Sequence, residues 1–304
     1  MRGVLSYLRS SAFICGSILL VSGCRVSTKR PPPGYYSGPT VTMAELVSDI
    51  NENNRKLPTL WMRHNMRAVI VDPEKPGDKG TKVSGDGHII YRSPQELFFR
   101  ASAPGVDLFE LGCNPDEYWL SIPFNKVDQM WWGRFKHLGK PCAKPIPIRP
   151  DLILEVLGVF QINPNFVVSP TPVMRFVNEQ DAYVLSWVKR SEDNNRFFVQ
   201  KEVWYDRKTK RPRRVLLYDE NGRVLLRANL SNFEPVEVDN VPKQQWPQVA
   251  TTYALVFPDT GTTMDIEVES AMLRRGKVPN DATFRRPTNP GVKKIEQLDA
   301  ACGP

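Results

Sequence analysis

The chain reads as mainly β with a few helices, built as one domain around a single sheet whose concave face holds a helix. Three observations predict this. Runs rich in Val, Ile, Tyr, Phe and Trp recur, with Pro, Gly, Asp and Asn in the short segments between them. Where a run alternates, as in Val224, Leu226, Ala228 and Leu230 against Arg223, Arg227 and Asn229, one face is apolar and the other polar. Between two groups of such runs lies Leu152 to Phe160, apolar nearly all round except for Glu155, and a helix of that kind must be enclosed.

The elements follow in order. Thr42 and Glu45 have capping-box spacing, and Met43, Leu46, Val47 and Ile50 then recur at helical spacing, so an amphipathic helix of about three turns begins there. Strands are expected at 62–72, 81–92, 95–102, 106–113, 116–122 and 125–135. Their short connections, such as Asn114-Pro115, make neighbours pair as antiparallel hairpins in a meander. Prolines 141, 145 and 147 break it, and Pro150-Asp151 open a helix over 152–160 with an N1 proline and a first-turn acid. A second set of strands is expected at 182–190, 196–205, 213–219, 223–233, 250–257 and 262–270, with a type I′ hairpin signal at Asn221-Gly222.

The whole composition fits a folded protein: 304 residues, 41% hydrophobic and 24% charged, too apolar for disorder, and with five cysteines too few for a disulfide scaffold. Arg2 and Arg9 precede a short apolar run, Ser10 to Val21, which is shorter than the roughly 20 residues a spanning helix needs. It reads as a secretory signal. The run ends in Leu20-Val21-Ser22-Gly23-Cys24, which resembles the lipobox of bacterial lipoproteins. That resemblance implies cleavage after Gly23, acylation of Cys24 and membrane attachment through the N-terminal lipid anchor. Arg25 follows the cysteine where an aspartate would favour inner-membrane retention, so the expected location is the outer membrane, lipid-anchored and facing the periplasm.

The expected organisation is then a signal peptide at 1–23, a lipidated Cys24 and Pro-rich tether at 24–40, one domain at 41–298 and a short tail at 299–304. The net charge of +8 would elsewhere point to nucleic acid. In this compartment anionic lipid head groups take its place. An oxidising environment permits a Cys113–Cys142 bridge, leaving Cys302 unpaired; three unpaired, partly buried thiols are the alternative.

The order of lipobox, helix, six-strand meander, helical insertion and second meander resembles the LolA/LolB lipoprotein-carrier superfamily. So do Asp116-Glu117-Tyr118-Trp119-Leu120, the stretch from Asp206 to Asp219, and Phe284-Arg285-Arg286-Pro287. The resemblance covers about residues 41–298 and involves no catalytic motif. It implies an α+β fold, an incomplete, curved antiparallel β-barrel capped by helices, with an apolar cavity for the acyl chains of lipids or lipoproteins. The cavity candidates are Met66, Ala68, Ile70, Leu97, Phe99, Phe109, Leu111, Val224, Leu226 and Ala228. A non-transporting scaffold or envelope-stress sensor with a filled core is the alternative.

Two features fit membrane contact. Trp131 and Trp132 are adjacent in the sixth strand and so point to opposite faces. Arg207, Lys208, Lys210 and Arg211 belong to a turn with six basic residues among eight positions. No enzyme signature is found: His64, His88 and His137 stand alone in sequence, with no metal-ligand spacing, nucleophile elbow or phosphate loop. The expectation is a non-enzymatic, monomeric protein without metal or cofactor.

Overall fold

Thr42 starts the fold as a complete capping box: the Glu45 amide donates to Thr42 Oγ1 at 3.3 Å and the Thr42 amide to Glu45 Oε2 at 2.8 Å. Helix α1 (Met43–Asn54) follows, burying Leu46, Val47 and Ile50. This is a computed structural model, and it describes residues 38–71, 79–123, 127–191, 195–273, 279–288 and 290–303. The signal segment, Cys24 and most of the tether lie outside the described residues.

The first meander comprises β1 (Thr59–Ile70), β2 (Thr81–Arg92), β3 (Glu96–Ala103), β4 (Val106–Cys113), β5 (Glu117–Ile122) and β6 (Gln129–Arg134). A loop and helix α2 (Pro150–Val156) follow. The second meander runs through β7 (Thr171–Val177), β8 (Ala182–Arg190), β9 (Phe197–Asp206), β10 (Pro212–Tyr218), β11 (Val224–Pro235), β12 (Gln248–Phe257) and β13 (Thr262–Met272). A short β14 (Lys294–Gln297) ends the series.

Among the described residues all fourteen strands form one sheet, in the order β14-β6-β5-β4-β3-β2-β1-β13-β12-β11-β10-β9-β8-β7. The seam between the meanders is β1 against β13, antiparallel, with Met66 opposite Ile266 and Ala68 opposite Met264. The sheet does not close, because β14 and β7 are not paired with each other. Side chains of one face, from both meanders, join α1 and α2 in one apolar core. The architecture is therefore the mainly β, unclosed and curved antiparallel sheet with helices against its concave face that the sequence implied.

Polar stitches fix the helices there. Asn51 of α1 donates to the Ile162 carbonyl and accepts from the Ile162 amide, both at 2.7 Å. Asn54 donates to the Phe160 carbonyl at 2.7 Å, and Asn53 accepts from the Gln248 amide of β12 at 2.7 Å. Each stitch satisfies backbone groups that burial would otherwise leave unpaired.

Four expectations need correction. Helix α2 is shorter than 152–160: it ends at Val156, and Gly158 adopts φ +73, which turns the chain away. Strand β7 was not expected, since Pro170 and Pro172 disguise it; as an edge strand it tolerates proline. Strand β14 is too short to read from sequence and pairs in parallel with β6. Finally, the disulfide joins Cys142 to Cys302, while Cys113 is a buried free thiol at the end of β4. The pairing follows from β14: lying beside β6, it carries the chain end back to the loop that leaves β6. There the Leu298 amide donates to the Trp132 carbonyl at 2.8 Å and the Lys144 amide to the Leu298 carbonyl at 3.0 Å. The segment expected to be a free tail is therefore pinned, with Asp299 buried and Cys302 bonded.

The bridge spans a sequence separation of 160, so the chain-entropy account gives it about 5 kcal/mol, with measured bridges more often contributing about 2–4. Cys302→Ser should lower unfolding stability by about 2–5 kcal/mol in urea titration, whereas Cys113→Ser should leave the Cys142–Cys302 peptide intact in a non-reducing digest. A Cys113–Cys142 peptide would overturn the assignment.

Candidate functional site

The concave face is where the sequence placed a ligand. Met66, Ala68 and Ile70 of β1, Leu97 and Phe99 of β3, Phe109 and Leu111 of β4, and Leu226 and Ala228 of β11 are all buried in the core. Leu97, Phe99, Phe109, Leu111, Leu226 and Ala228 are each 0% exposed. Their neighbours are the protein's own side chains, α1 and α2 included. Val224 departs from this set: it is half-buried and outside the core, while Leu225 packs against it. The cause is a β-bulge, since Leu217 faces Leu226 but Tyr218 faces Val224, and the extra residue shifts the alternation.

Open space lies at the rim. A cleft of about 910 Å³ runs between α2 and the β9–β11 side of the sheet, with Phe135, Leu138, Leu154, Phe198, Leu217 and Leu225 among its apolar lining. Its size falls in the range of about 300–1,000 Å³ typical of ligand pockets. Across its base Lys201 Nζ of β9 donates to Glu155 Oε2 of α2 at 2.7 Å. The same ammonium stands 4.0 Å from the Phe160 ring centroid and 4.5 Å from that of Trp187. The charge that interrupts the apolar helix is thus paired, and it ties the helix to the second meander.

All of the membrane-contact candidates except Lys208 have side chains engaged within the protein. Trp131 packs on the core, and Trp132 is covered by the Arg286 guanidinium 3.9 Å from its ring centroid. In the basic turn, Asp206 Oδ1 accepts from the Lys208 and Thr209 amides at 3.1 and 2.8 Å. Arg207 reaches Asp181 at 3.3 Å and lies 5.0 Å from the Phe176 ring centroid. Lys210 Nζ stands 4.6 Å from the Tyr183 ring centroid. Arg211 lies 5.6 Å from the Phe233 ring centroid, and burial lowers its pKa. Lys208 is exposed. Lys210 and Arg211 also line a second cleft of about 330 Å³ beside α1.

Nor do all the histidines stand alone. His137, in the short turn that follows β6, has a ring nitrogen within 4.8 Å of the sulfurs of Cys142 and Cys302, a cluster concealed because Cys302 lies far along the chain from the other two. Burial first, then Lys136, lowers its pKa against the opposing pull of Asp299. Cys113 is set apart from this cluster, and burial pushes its thiol up.

No protein-family model matches the chain, and no curated protein does. Among solved structures, it is similar to a LolA superfamily protein from Nitrosomonas europaea at 15% identity, covering 81% of this chain and 98% of that one with a TM-score of 0.46. A DUF1329 family protein from Desulfovibrio piger is similar at 14% identity, covering 80% of this chain and 95% of that one with a TM-score of 0.48. At these values the likeness says nothing about ligand or partner.

His64 offers a test of how tightly the concave face is sealed. It is 0% exposed, its ring meets Phe99 edge-on at 4.9 Å, and Nε2 lies 3.3 Å from the Arg100 carbonyl. Burial lowers its pKa to about 4. The unfolded chain therefore takes up a proton near pH 6.5 that the folded chain refuses until about pH 4. Stability conferred by the neutral ring is complete above pH 6.5 and declines by about 3 kcal/mol as pH falls through that window. His64→Leu should flatten the slope of urea stability between pH 6.5 and 4; an unchanged slope would place a hydrated histidine there.

Proposed function

We propose that this is a non-catalytic, lipid-anchored envelope protein that holds an acyl chain, free or borne by a lipid or lipoprotein, in the cleft beside α2. Acylated Cys24 and the tether at 24–40 would fix it to the outer membrane, with the domain in the periplasm. The supporting observation is the distribution of apolar surface. The inner face is filled by the protein's own side chains, whereas Phe135, Leu138, Leu154, Phe198 and Leu225 form an apolar wall that is only partly covered. Covering that wall with hydrocarbon would release about 25 cal/mol for each Å² removed from water. Charged groups at the rim, Arg149, Lys189 and Arg223 among them, suit a polar head left in solvent. The site thus moves from the deep cavity expected from sequence to the mouth of the half-barrel.

The filled core also favours a second reading, a scaffold that works through surface contacts alone. Uptake of a fluorescent fatty acid separates the two, using the chain with Cys24→Ala and native mass spectrometry for occupancy. The acyl-chain reading expects saturable uptake, cut about tenfold or more by Phe198→Glu at unchanged thermal stability, because that side chain is half-buried and is not packed against the core. Leu226→Glu is expected instead to unfold the domain, since it places a carboxylate in sealed core. No uptake by folded chain would leave the scaffold.

A further inference from the structure

His137 is 6% exposed, and among the described residues neither of its ring nitrogens has a hydrogen-bond partner. A buried imidazole without a partner is costly and calls for an explanation. Its surroundings contain the atoms that would satisfy it. The Cys142 and Cys302 sulfurs lie within 4.8 Å of its donor atoms, and Asp299 Oδ2 stands 4.0 Å from Nε2. Asp299 is itself 2% exposed, so a second polar group is buried at the same place.

We propose that Cys142, Cys302 and His137, with Asp299 completing the set, form a redox-gated site for a thiophilic divalent cation of the zinc class. Two thiolates, an imidazole and a carboxylate or water make a tetrahedral zinc shell, whose donors sit about 2.0–2.3 Å from the metal and hence roughly 4 Å or less from one another. The imidazole and the two sulfurs already lie within 4.8 Å of one another, and Asp299, which accepts from the Arg134 amide at 3.3 Å and from Gln297 Nε2 at 3.0 Å, would be the fourth donor or leave that place to water. As a disulfide the sulfurs are not thiolates, so metal and bridge exclude each other. Opening the bridge takes two electrons and two protons from a dithiol reductant, which itself becomes a disulfide. Zinc binding then displaces both thiol protons. Either state holds the chain end against the loop after β6, so the site would replace one clamp by another.

The test uses the full chain with Cys15→Ser and Cys24→Ser, reduced with a phosphine or left oxidised, then given zinc and desalted. The reduced chain should retain one zinc, seen by native mass spectrometry, and the oxidised chain none. Cobalt in place of zinc should give a thiolate charge-transfer absorption. His137→Ala should weaken zinc binding by about tenfold or more, and Cys302→Ser should abolish the cobalt signature of paired thiolates. Should reduction unfold the chain, recovery of native circular dichroism on adding zinc supports the site. Failure of zinc to bind or refold it overturns the proposal, as does equal zinc retention by the oxidised chain or full affinity in His137→Ala.

Discussion

Everything in this fold answers to one constraint: a sheet with a continuous apolar face must have that face covered. Twisted open sheets rarely exceed about ten strands without curling or splitting, and this one has fourteen in unbroken order. Curling brings the two ends of its apolar face toward each other without closing a barrel. The residual gap is filled from within by Leu46, Val47 and Ile50 of α1 and by Leu152, Ile153 and Val156 of α2. Because a short helix has little stability of its own, α2 depends on this burial as much as the sheet depends on α2.

That mutual dependence explains where polar atoms are tolerated. Asn51 and Asn54 of α1 pair with main-chain groups of the irregular segment that follows α2, and Asn53 pairs with the Gln248 backbone at the start of β12. Glu155 survives in an apolar helix because Lys201 reaches it, and Lys201 is in turn held over two aromatic rings. A charge pair with one half-open side keeps part of its hydration, which limits the desolvation cost that a sealed pair would carry. The cleft opens at this point, so the boundary between sealed core and open wall falls where the helix turns polar.

Much of this was legible in the sequence, because period and punctuation are local signals. The capping box at Thr42, the alternation in β11 and the Asn221-Gly222 turn each carry their own geometry. What was not legible depends on partners distant in the chain. Pro172 is acceptable only because β7 is an edge, and β14 exists only because β6 offers a free side. The bulge that displaces Val224 in favour of Leu225 is a property of the β10–β11 pair rather than of either strand. Cysteine spacing favoured Cys113 with Cys142, yet pairing depends on which strand returns beside which, and that choice is made by β14. The cluster around His137 was hidden for the same reason.

The two edges of the sheet are consequently treated in different ways. At β7 the backbone is left open, and Pro172 removes one donor that a foreign strand would need; Val173 nevertheless stays 53% exposed. At the other end β14 is only four residues long, too few to hold itself in a parallel pair. Within the strand Gln129 of β6 donates to Glu296 at 2.8 Å, and both flanks add to this grip: Lys293 and Asp128 on one side, at 2.8 Å, and the covalent Cys142–Cys302 link on the other. A weak strand fastened at each end covers the β6 edge without requiring intrinsic strand stability. The covalent fastening carries more of that duty than the exposed ion pair, because a surface pair contributes at most about 1 kcal/mol.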